Sequence, residues 1–550
     1  MKPALHVGAV IGSRTPAAWV GQVLQDIQAH DNMQLSVGLH DKTLSSRNGP
    51  TARLRPRLAD WLLQNIIDIP HFTYNPWQPK ALPDTLLAHE LAAHPEALAQ
   101  CDVILYLTRQ KPPLEFSCAE VPVWSADLPS MDVRIKHSLL NRAPFIWVHI
   151  WNHQYHSSAE RLSTDRIASH ALPCQTYSIS DLRRLSYSAL PGVFMSRLTW
   201  MVNHPDRKLD SMKVQEGNLG VFDTDRQHAL LDIDTTLDTV TTDREYLFHK
   251  FSPLWKAKKL LLRQIYERVH HKLFTEHWQL AVSHSTPSAS LQEIAKTPVK
   301  AYTCVAAPND VIWADPHLCQ HQGDVYAFFE RMHKHNQNAH IAYAKLDKDG
   351  LLVESGVALS TDYHLSFPHV FKYEDSYYMI PETASLRSVN LYKAKHFPDQ
   401  WEHHQELLPD INAADTVLLQ HQGRWWMFTN CQSHRSVDER DELHIYYSDT
   451  LEGPWQAHAL NPVLTGVDRS RMAGPIIHED GSMFRCSQYG AYRYGYGINI
   501  SRIDELTPET YRESASCRIL PEEGTGWSGC HTFARVGSLT MIDRVSYSRR

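Results

Sequence analysis

The chain of 550 residues exceeds what one hydrophobic core organises, so at about 150 residues per domain it divides into two to four domains. Apolar residues at 43% and charged residues at 21% exclude a disordered chain, and 54 basic against 61 acidic residues, a formal charge of −7, exclude a general nucleic-acid binder. Nine scattered cysteines without a CxxC pair give neither a disulfide framework nor a zinc ribbon and fit a reducing compartment, while 34 histidines make the charge sensitive to mild acid. No stretch of 18 apolar residues occurs, and the opening run lacks the pattern of a signal peptide, so a soluble, cytoplasmic protein is expected.

In chain order, residues 6–11 suit a buried strand. Residues 17–29 carry Trp19, Val20, Val23, Leu24 and Ile27 at helical spacing, and 34–39 read as strand again. A helix over 53–67, an apolar helix near 86–98, and strands at 103–107 and 121–124 continue the alternation of a parallel sheet. Residues 1–205 are therefore expected to form an α/β domain of the Rossmann-like kind. Its Gly8 and Gly12 do not make a GxGxxG fingerprint, so no dinucleotide cofactor is expected. His149, His153 and His156 are spaced by four and three; on a helix they would share a face, but no carboxylate nearby completes a metal site.

Residues 206–240 are polar and read as an exposed connection. Over 254–274, Leu254, Leu261, Leu262, Ile265, Val269 and Leu273 fall on one face of a helix otherwise studded with Lys and Arg. That helix packs between domains or attaches peripherally to anionic lipid, with Trp255 and Phe274 near the headgroups. The linker and helix together span 206–275.

From residue 276 to 550 one pattern returns five times. Trp313-Ala-Asp-Pro-His-Leu is followed by Gly323 to Glu330, Ser366-Phe-Pro-His-Val-Phe by Asp375 to Glu382, and Ala414-Asp-Thr-Val-Leu-Leu by Gly423 to Asn430. Weaker copies begin at Ala473-Gly-Pro-Ile-Ile and at Cys530-His-Thr-Phe. With Asp315, Phe367, Asp415, Gly474 and His531 aligned, the spacings are 52, 48, 59 and 57 residues. Units of about 50 residues holding four short antiparallel strands are blades of an all-β five-bladed propeller. The fifth blade lacks strands of its own, and 278–283 with 299–305 are the stretches available to complete it.

In a propeller the inner strands converge on the axis, which gathers Asp315, Asp415 and His531 around a central funnel, with Glu330 and Glu382 at the ends of second strands. Carboxylates facing one another across a polar cleft supply the base or nucleophile and the acid of glycosyl transfer. A phosphate-bearing donor also needs cations, for which Arg469, Arg471, Arg485 and Arg493 are candidates; Gln488 and Tyr494 stand beside them, the latter in the loop Tyr489-Gly-Ala-Tyr-Arg-Tyr-Gly-Tyr-Gly.

Trp313-Ala-Asp-Pro-His-Leu, Tyr326 to Glu330, Leu365 to Phe371, Tyr378 to Ala384, Asp415-Thr-Val and Gly529 to Phe533 resemble the propeller domain named after the N-terminal part of plant glucosamine inositolphosphorylceramide transferase. The resemblance covers about 275–550. That domain also occurs in bacterial proteins behind a formyltransferase-like α/β domain. Where formyltransferases carry an Asn-x-His pair, this chain has Ser125 and Asp127 in Trp124 to Ser130, which implies that formyl transfer is lost. The propeller resembles those of furanosidases such as arabinanases, levansucrases and invertases, whose first three inner strands begin with acidic residues; here blades one and three supply Asp315 and Asp415, and blade two supplies Phe367.

The resemblance and the residues together imply a cytoplasmic glycosyltransferase of surface polysaccharide or glycolipid biosynthesis, possible membrane contact being at the inner face. Its partners are an activated sugar donor and a glycan or glycolipid acceptor, with no metal, no cofactor and no nucleic acid. Asp315, Asp415, Glu382 and Glu330 are the expected catalytic residues. His369, Arg471, Arg485, Gln488, Arg493, Tyr494 and His531 are the expected substrate contacts. A glycoside hydrolase and a carbohydrate-binding scaffold are the alternatives.

Overall fold

The computed structural model describes residues 4–39, 90–205 and 262–549, with short interruptions within these ranges. They form two compact units, one built mainly from residues before 206 and one mainly from residues after 268. The helix expected at 53–67, the connection at 206–240 and residues 254–261 lie outside the described residues. Among the described residues no helix is long and apolar enough to cross a membrane.

The first unit is a seven-stranded sheet in the order β3-β2-β1-β4-β5-β6-β7. Strands β1 (Leu5–Ile11), β2 (Met33–Leu39), β3 (Glu90–Ala92), β4 (Val103–Tyr106) and β5 (Val123–Ala126) run parallel, and β6 (Phe145–His156) and β7 (Arg161–Pro173) add on antiparallel. Apolar β1 and β4 are buried almost throughout, as strands covered on both faces must be. Helix α1 (Ala18–Gln28) buries Trp19, Val20, Val23, Leu24 and Ile27, the stripe its sequence spacing predicts. Helix α2 (Ile179–Asn203) opens with the Ser178 hydroxyl accepting the Asp181 N–H.

One expectation fails here. The apolar stretch near 86–98 contains β3, because pairing of Glu90 to Ala92 with Val37 to Leu39 outweighs a helical period in the sequence. The three histidines lie on β6, a strand. His153 Nε2 meets Ser125 Oγ at 2.7 Å and His149 Nδ1 meets Ser169 Oγ at 2.9 Å, so a cross-strand hydroxyl engages one ring nitrogen of each.

The second unit is a five-bladed propeller. Blade one is β10 (Val311–His321) to β13 (Leu352–Leu359), through β11 (Asp324–His333) and β12 (His340–Leu346). Blade two is β14 (Ser366–Tyr373), β15 (Ser376–Glu382), β16 (Val389–His396) and β17 (Gln400–Leu408). Blade three is β18 (Ala413–His421), β19 (Arg424–Cys431), β20 (Glu442–Ser448) and β21 (Gln456–Ala457), and β22 (Leu464–Thr465) also pairs with β20. Blade four is β23 (Ile477–Glu479), β24 (Ser482–Tyr489), β25 (Gly497–Leu506) and β26 (Tyr511–Ile519).

Blade five joins β27 (Phe533–Val536) and β28 (Leu539–Arg549) to β8 (Phe274–His284) and β9 (Thr303–Val305), the two stretches that the incomplete fifth repeat called for. Eleven residues of β28 pair with β8, from Leu539 opposite His284 to Arg549 opposite Phe274, which closes the ring and hides its edges. Phe274 thus begins a strand rather than ending the basic helix. Apolar cores lie at the seams between blades: Leu280, Val282 and Met541 of blade five pack with Ala327 and Phe329 of blade one, and Phe328 and Ile341 of blade one pack with Val370 and Met379 of blade two.

Each of the first three inner strands carries one extra residue near its start. Register jumps between Ala314 and His317, Ser366 and His369, and Ala414 and Val417. At the jump Asp315, Phe367 and Asp415 take φ of 53°, 43° and 50°, a left-handed turn that costs energy in a residue with a side chain and re-aims it. Asp315 is therefore the fifth residue of its strand rather than the first.

Gly474 has φ of 140°, and a Cβ there would stand 2.1 Å from the Phe533 carbonyl oxygen. Gly474→Ala is expected to destabilise the propeller by about 3 kcal/mol or more, measured by chemical denaturation, because both strain and a main-chain clash must be relieved.

Candidate active site

The bulges and the second strands bring the expected acidic residues together in two pairs. Asp315 lies against Glu330, from β10 and β11 of one blade. Asp415 lies against Glu382, from β18 of blade three and β15 of blade two. Blade two, which offers Phe367 at the bulge, thus contributes its carboxylate from the neighbouring strand.

The second strands also clasp one blade to the next. Asp543 Oδ2 accepts the Asp315 N–H at 3.2 Å, Glu382 Oε2 accepts the Asp415 N–H at 3.4 Å, and Asn430 Oδ1 accepts the Met472 N–H at 2.9 Å. In blade four the clasped amide is two residues before Gly474, because the chain at Gly474 is committed to its close passage by Phe533. Glu330 holds the same place in blade one, opposite Ala314 as Glu382 is opposite Ser366, yet it makes no such bond. Its Oε1 lies 3.5 Å from His364 Nε2 instead.

Charge sorts the carboxylates. Burial by itself would raise Asp315, but the His531 ring, the Thr532 hydroxyl donating to Oδ1 at 2.9 Å, and the Arg471 charge outweigh it and hold the acid at about 2. Burial and the neighbouring Asp315 charge push Glu330 up to about 8 against the pull of His531. Burial and Asp415 push Glu382 the same way, opposed by Arg471. Burial opposes a charge on His531, yet Asp543, Tyr494 and Asp315 raise its basicity well above that of a free imidazole. Its Nδ1 is 2.8 Å from Asp543 and its Nε2 is 3.1 Å from Asp315.

Arg471 binds Asp415 through Nε, stacks over the Tyr494 ring at 4.9 Å, and keeps Nη1 buried without a partner. Tyr494 is 42% exposed and lies 5.2 Å from the His531 ring and 6.3 Å from Trp278.

Other expected contacts are engaged elsewhere. Arg485 is fully buried, grips Glu513 with Nε and Nη2 at 2.7 Å each, and shares that carboxylate with the Tyr511 hydroxyl. Arg493 lies between Glu276 and Tyr547, and Arg469 faces Asp468. Gln488 donates to the Met472 carbonyl. His369 is buried edge-on against His317, 5.0 Å away, and is held well below the ordinary imidazole range by burial. Trp278, Thr532 and Asp543 complete the cluster and were not expected from the sequence. Asp543 lies within β28, the second strand of the fifth repeat, as Glu330, Glu382 and Asn430 lie on the second strands of theirs.

Asp315, His531 and Asp543 each offer an atom close enough to share a metal ion. The Asp543 oxygens already accept three main-chain N–H groups and face the His531 ring, an arrangement that suits a cation supplied by histidine better than a metal.

Over residues 282–533 the chain matches the family described as glucosamine inositolphosphorylceramide transferase 1, N-terminal. A rice protein, "Glucosamine inositolphosphorylceramide transferase 1" of Oryza sativa subsp. japonica, is 34% identical over 204 residues, 36% of this chain and 27% of that protein. The protein of the same name from Arabidopsis thaliana is 32% identical over 216 residues, 39% and 28% of the two chains. The chain thus spans little more than a quarter of the curated relatives it matches. Among solved structures, Zg3597, a family 117 glycoside hydrolase from Zobellia galactanivorans, aligns with a TM-score of 0.32 at 11% identity, over 49% of this chain and 90% of that one.

A Glu330 that takes up its proton near pH 8 when folded, and near pH 4.5 when unfolded, contributes stability below about pH 4.5 that is lost as pH rises to 8. Glu330→Gln is expected to flatten the fall in unfolding free energy between pH 5 and 8 by about 1.4 kcal/mol per pH unit, measured by urea denaturation.

Proposed function

We propose that the chain is a carbohydrate-active enzyme that transfers a glycosyl group in surface polysaccharide or glycolipid assembly, with its chemistry at the carboxylate cluster of the propeller. The observation that carries this reading is the pairing of Asp315, held ionised, with Glu330, held protonated at neutral pH. Two adjacent acids driven apart in this way divide base from acid without further help. Glu330 would protonate the departing oxygen. Asp315 would take the proton of the attacking hydroxyl or attack the anomeric carbon itself.

Electrostatics around the pair supports a cationic transition state. The Asp415–Arg471 ion pair cancels, and one histidine cation between Asp315 and Asp543 leaves one negative charge beside the reacting centre. An oxocarbenium-like sugar is stabilised by that balance. The exposed side of Tyr494, away from Arg471, would offer a face for a sugar ring, and the unpartnered Nη1 of Arg471 a donor for a hydroxyl or phosphate oxygen.

Hydrolysis is the second reading. Arg469, Arg485 and Arg493 all face carboxylates already, which leaves fewer cations for a phosphate-bearing donor than the sequence promised.

The name of the plant relatives points to glycolipid chemistry, and it supports a sugar donor with a glycan or glycolipid acceptor as partners. In the first unit the sheet reverses its strand order between β1 and β4, the crevice at which open parallel sheets bind ligands, so a Rossmann-like, formyltransferase-like unit would hold donor or acceptor there. Leu262, Ile265, Tyr266, Val269 and Leu273 are exposed, in keeping with peripheral attachment at the inner face of a membrane in a cytoplasmic protein.

The test is turnover by the purified chain with nucleotide sugars, lipid-phosphate sugars and oligosaccharides, with and without glycan acceptors. Transfer to an acceptor is expected, and Asp315→Asn should lower kcat by about 1000-fold. Release of free sugar from oligosaccharide alone would move the assignment to hydrolase; binding of sugar without turnover, unaltered in Asp315→Asn, would make the propeller a scaffold. Because the acid must be protonated, kcat is expected to fall as pH rises through about 8, and Glu330→Gln should lower kcat about 100-fold and abolish that limb.

A further inference from the structure

We propose that Asp543 is a positioning residue for Asp315 and acts through His531: its carboxylate holds the main chain beneath the ring by hydrogen bonds and stands 2.8 Å from Nδ1 as an ion-pair partner, so that Nε2 is presented to Asp315. The proposal rests on the reading of Asp315 as the base or nucleophile and assigns a role to a residue outside the expected catalytic set.

The geometry is that of one carboxylate with every contact directed at the same end. Asp543 Oδ1 accepts the N–H groups of His531 at 2.8 Å and Thr532 at 3.0 Å, and Oδ2 accepts the Asp315 N–H and lies 2.8 Å from His531 Nδ1. One fully buried side chain therefore sets the path of the segment that carries the ring, the ring itself and the bulge that carries Asp315. Thr532, placed by the same oxygen, donates its hydroxyl to Asp315 Oδ1, and His531 Nε2 reaches that atom from the other ring nitrogen. Trp278 edge-on at 4.5 Å and Tyr494 at 5.2 Å leave the imidazole little freedom to turn away.

The titratable groups facing His531 come from four elements: Asp315 on β10, Glu330 on β11, Asp543 on β28, and Tyr494 in the loop before β25. Of these, Asp543 faces Nδ1 of the ring, whereas Asp315 faces Nε2. Removing its charge while keeping its shape should let His531 release its proton, deprive Asp315 of its partner and raise the acidic limb of activity.

Asp543→Asn makes that change: an amide oxygen can keep the clasp on one side, as Asn430 does for Met472, while the amide nitrogen gives up the N–H contacts of the other oxygen. Expected results are a fall in kcat of about 100-fold with KM within about twofold, an acidic limb moved up by at least one pH unit, and a His531 ring that is neutral at pH 8 by nitrogen NMR where the native ring is protonated. His531→Gln should lower kcat by a similar factor, and the double variant should be no worse than either single one.

A His531 ring still protonated at pH 8 in Asp543→Asn would overturn the proposal, as would single-variant effects that multiply. The NMR measurement needs no substrate. A native chain without glycosyl transfer whose ring loses its proton in the variant would sink the transferase reading and leave the Asp543–His531–Asp315 linkage standing.

Discussion

The interaction on which the propeller and its chemistry both depend is the clasp between a second-strand side chain and the main-chain N–H of the next blade. Asp543, Glu382 and Asn430 each hold one, binding blade five to one, two to three and three to four near the axis. A buried N–H without a partner is costly, and at the Asp315 and Asp415 bulges, where the ladder is interrupted, a carboxylate of another blade supplies one. Two of the three clasps use a carboxylate, which brings negative charge near the axis. Acidic residues are gathered there before any catalytic demand is made of them.

Function enters where the pattern is broken. Glu330 stands where the clasps stand and forms none, which leaves a buried carboxyl whose cheapest state beside ionised Asp315 is the protonated one. Glu382 answers both needs, holding the Asp415 N–H while sharing a site with its carboxylate. The same logic separates the arginines. Arg485 is a structural cation inside blade four, since a buried guanidinium without Glu513 would cost about 3–5 kcal/mol, whereas Arg471 reaches the carboxylates from the same blade and retains a free nitrogen.

The propeller was legible because its signal is repetition: three copies of one pattern fix three inner strands, β10, β14 and β18. The acidic pairs were legible for the same reason. What periodicity could not show is how charge is shared. Asp543 sits in a short, weak copy, and its importance lies in three main-chain partners that no residue type announces. Arg485 and Arg471 look alike in sequence, fourteen residues apart, and only the position of Glu513 opposite one and Asp415 opposite the other distinguishes them. In the first unit, β3 shows the converse, a three-residue strand made by its neighbour rather than by its own composition.

The site also depends on closure of the ring. Trp278 lies on β8 at the beginning of the propeller, Asp315 and Glu330 in blade one, and His531, Thr532 and Asp543 near the chain end. These residues meet only when β28 pairs with β8 across more than 250 residues of sequence, a long-range contact that is slow to form and carries a large loop entropy. Burying a histidine cation between two carboxylates has no gain until that pairing is made, and afterwards it adds to the seam that it needs. The base, its partner and the last blade therefore form together or not at all, so the propeller should carry no competent site in any state with the ring open.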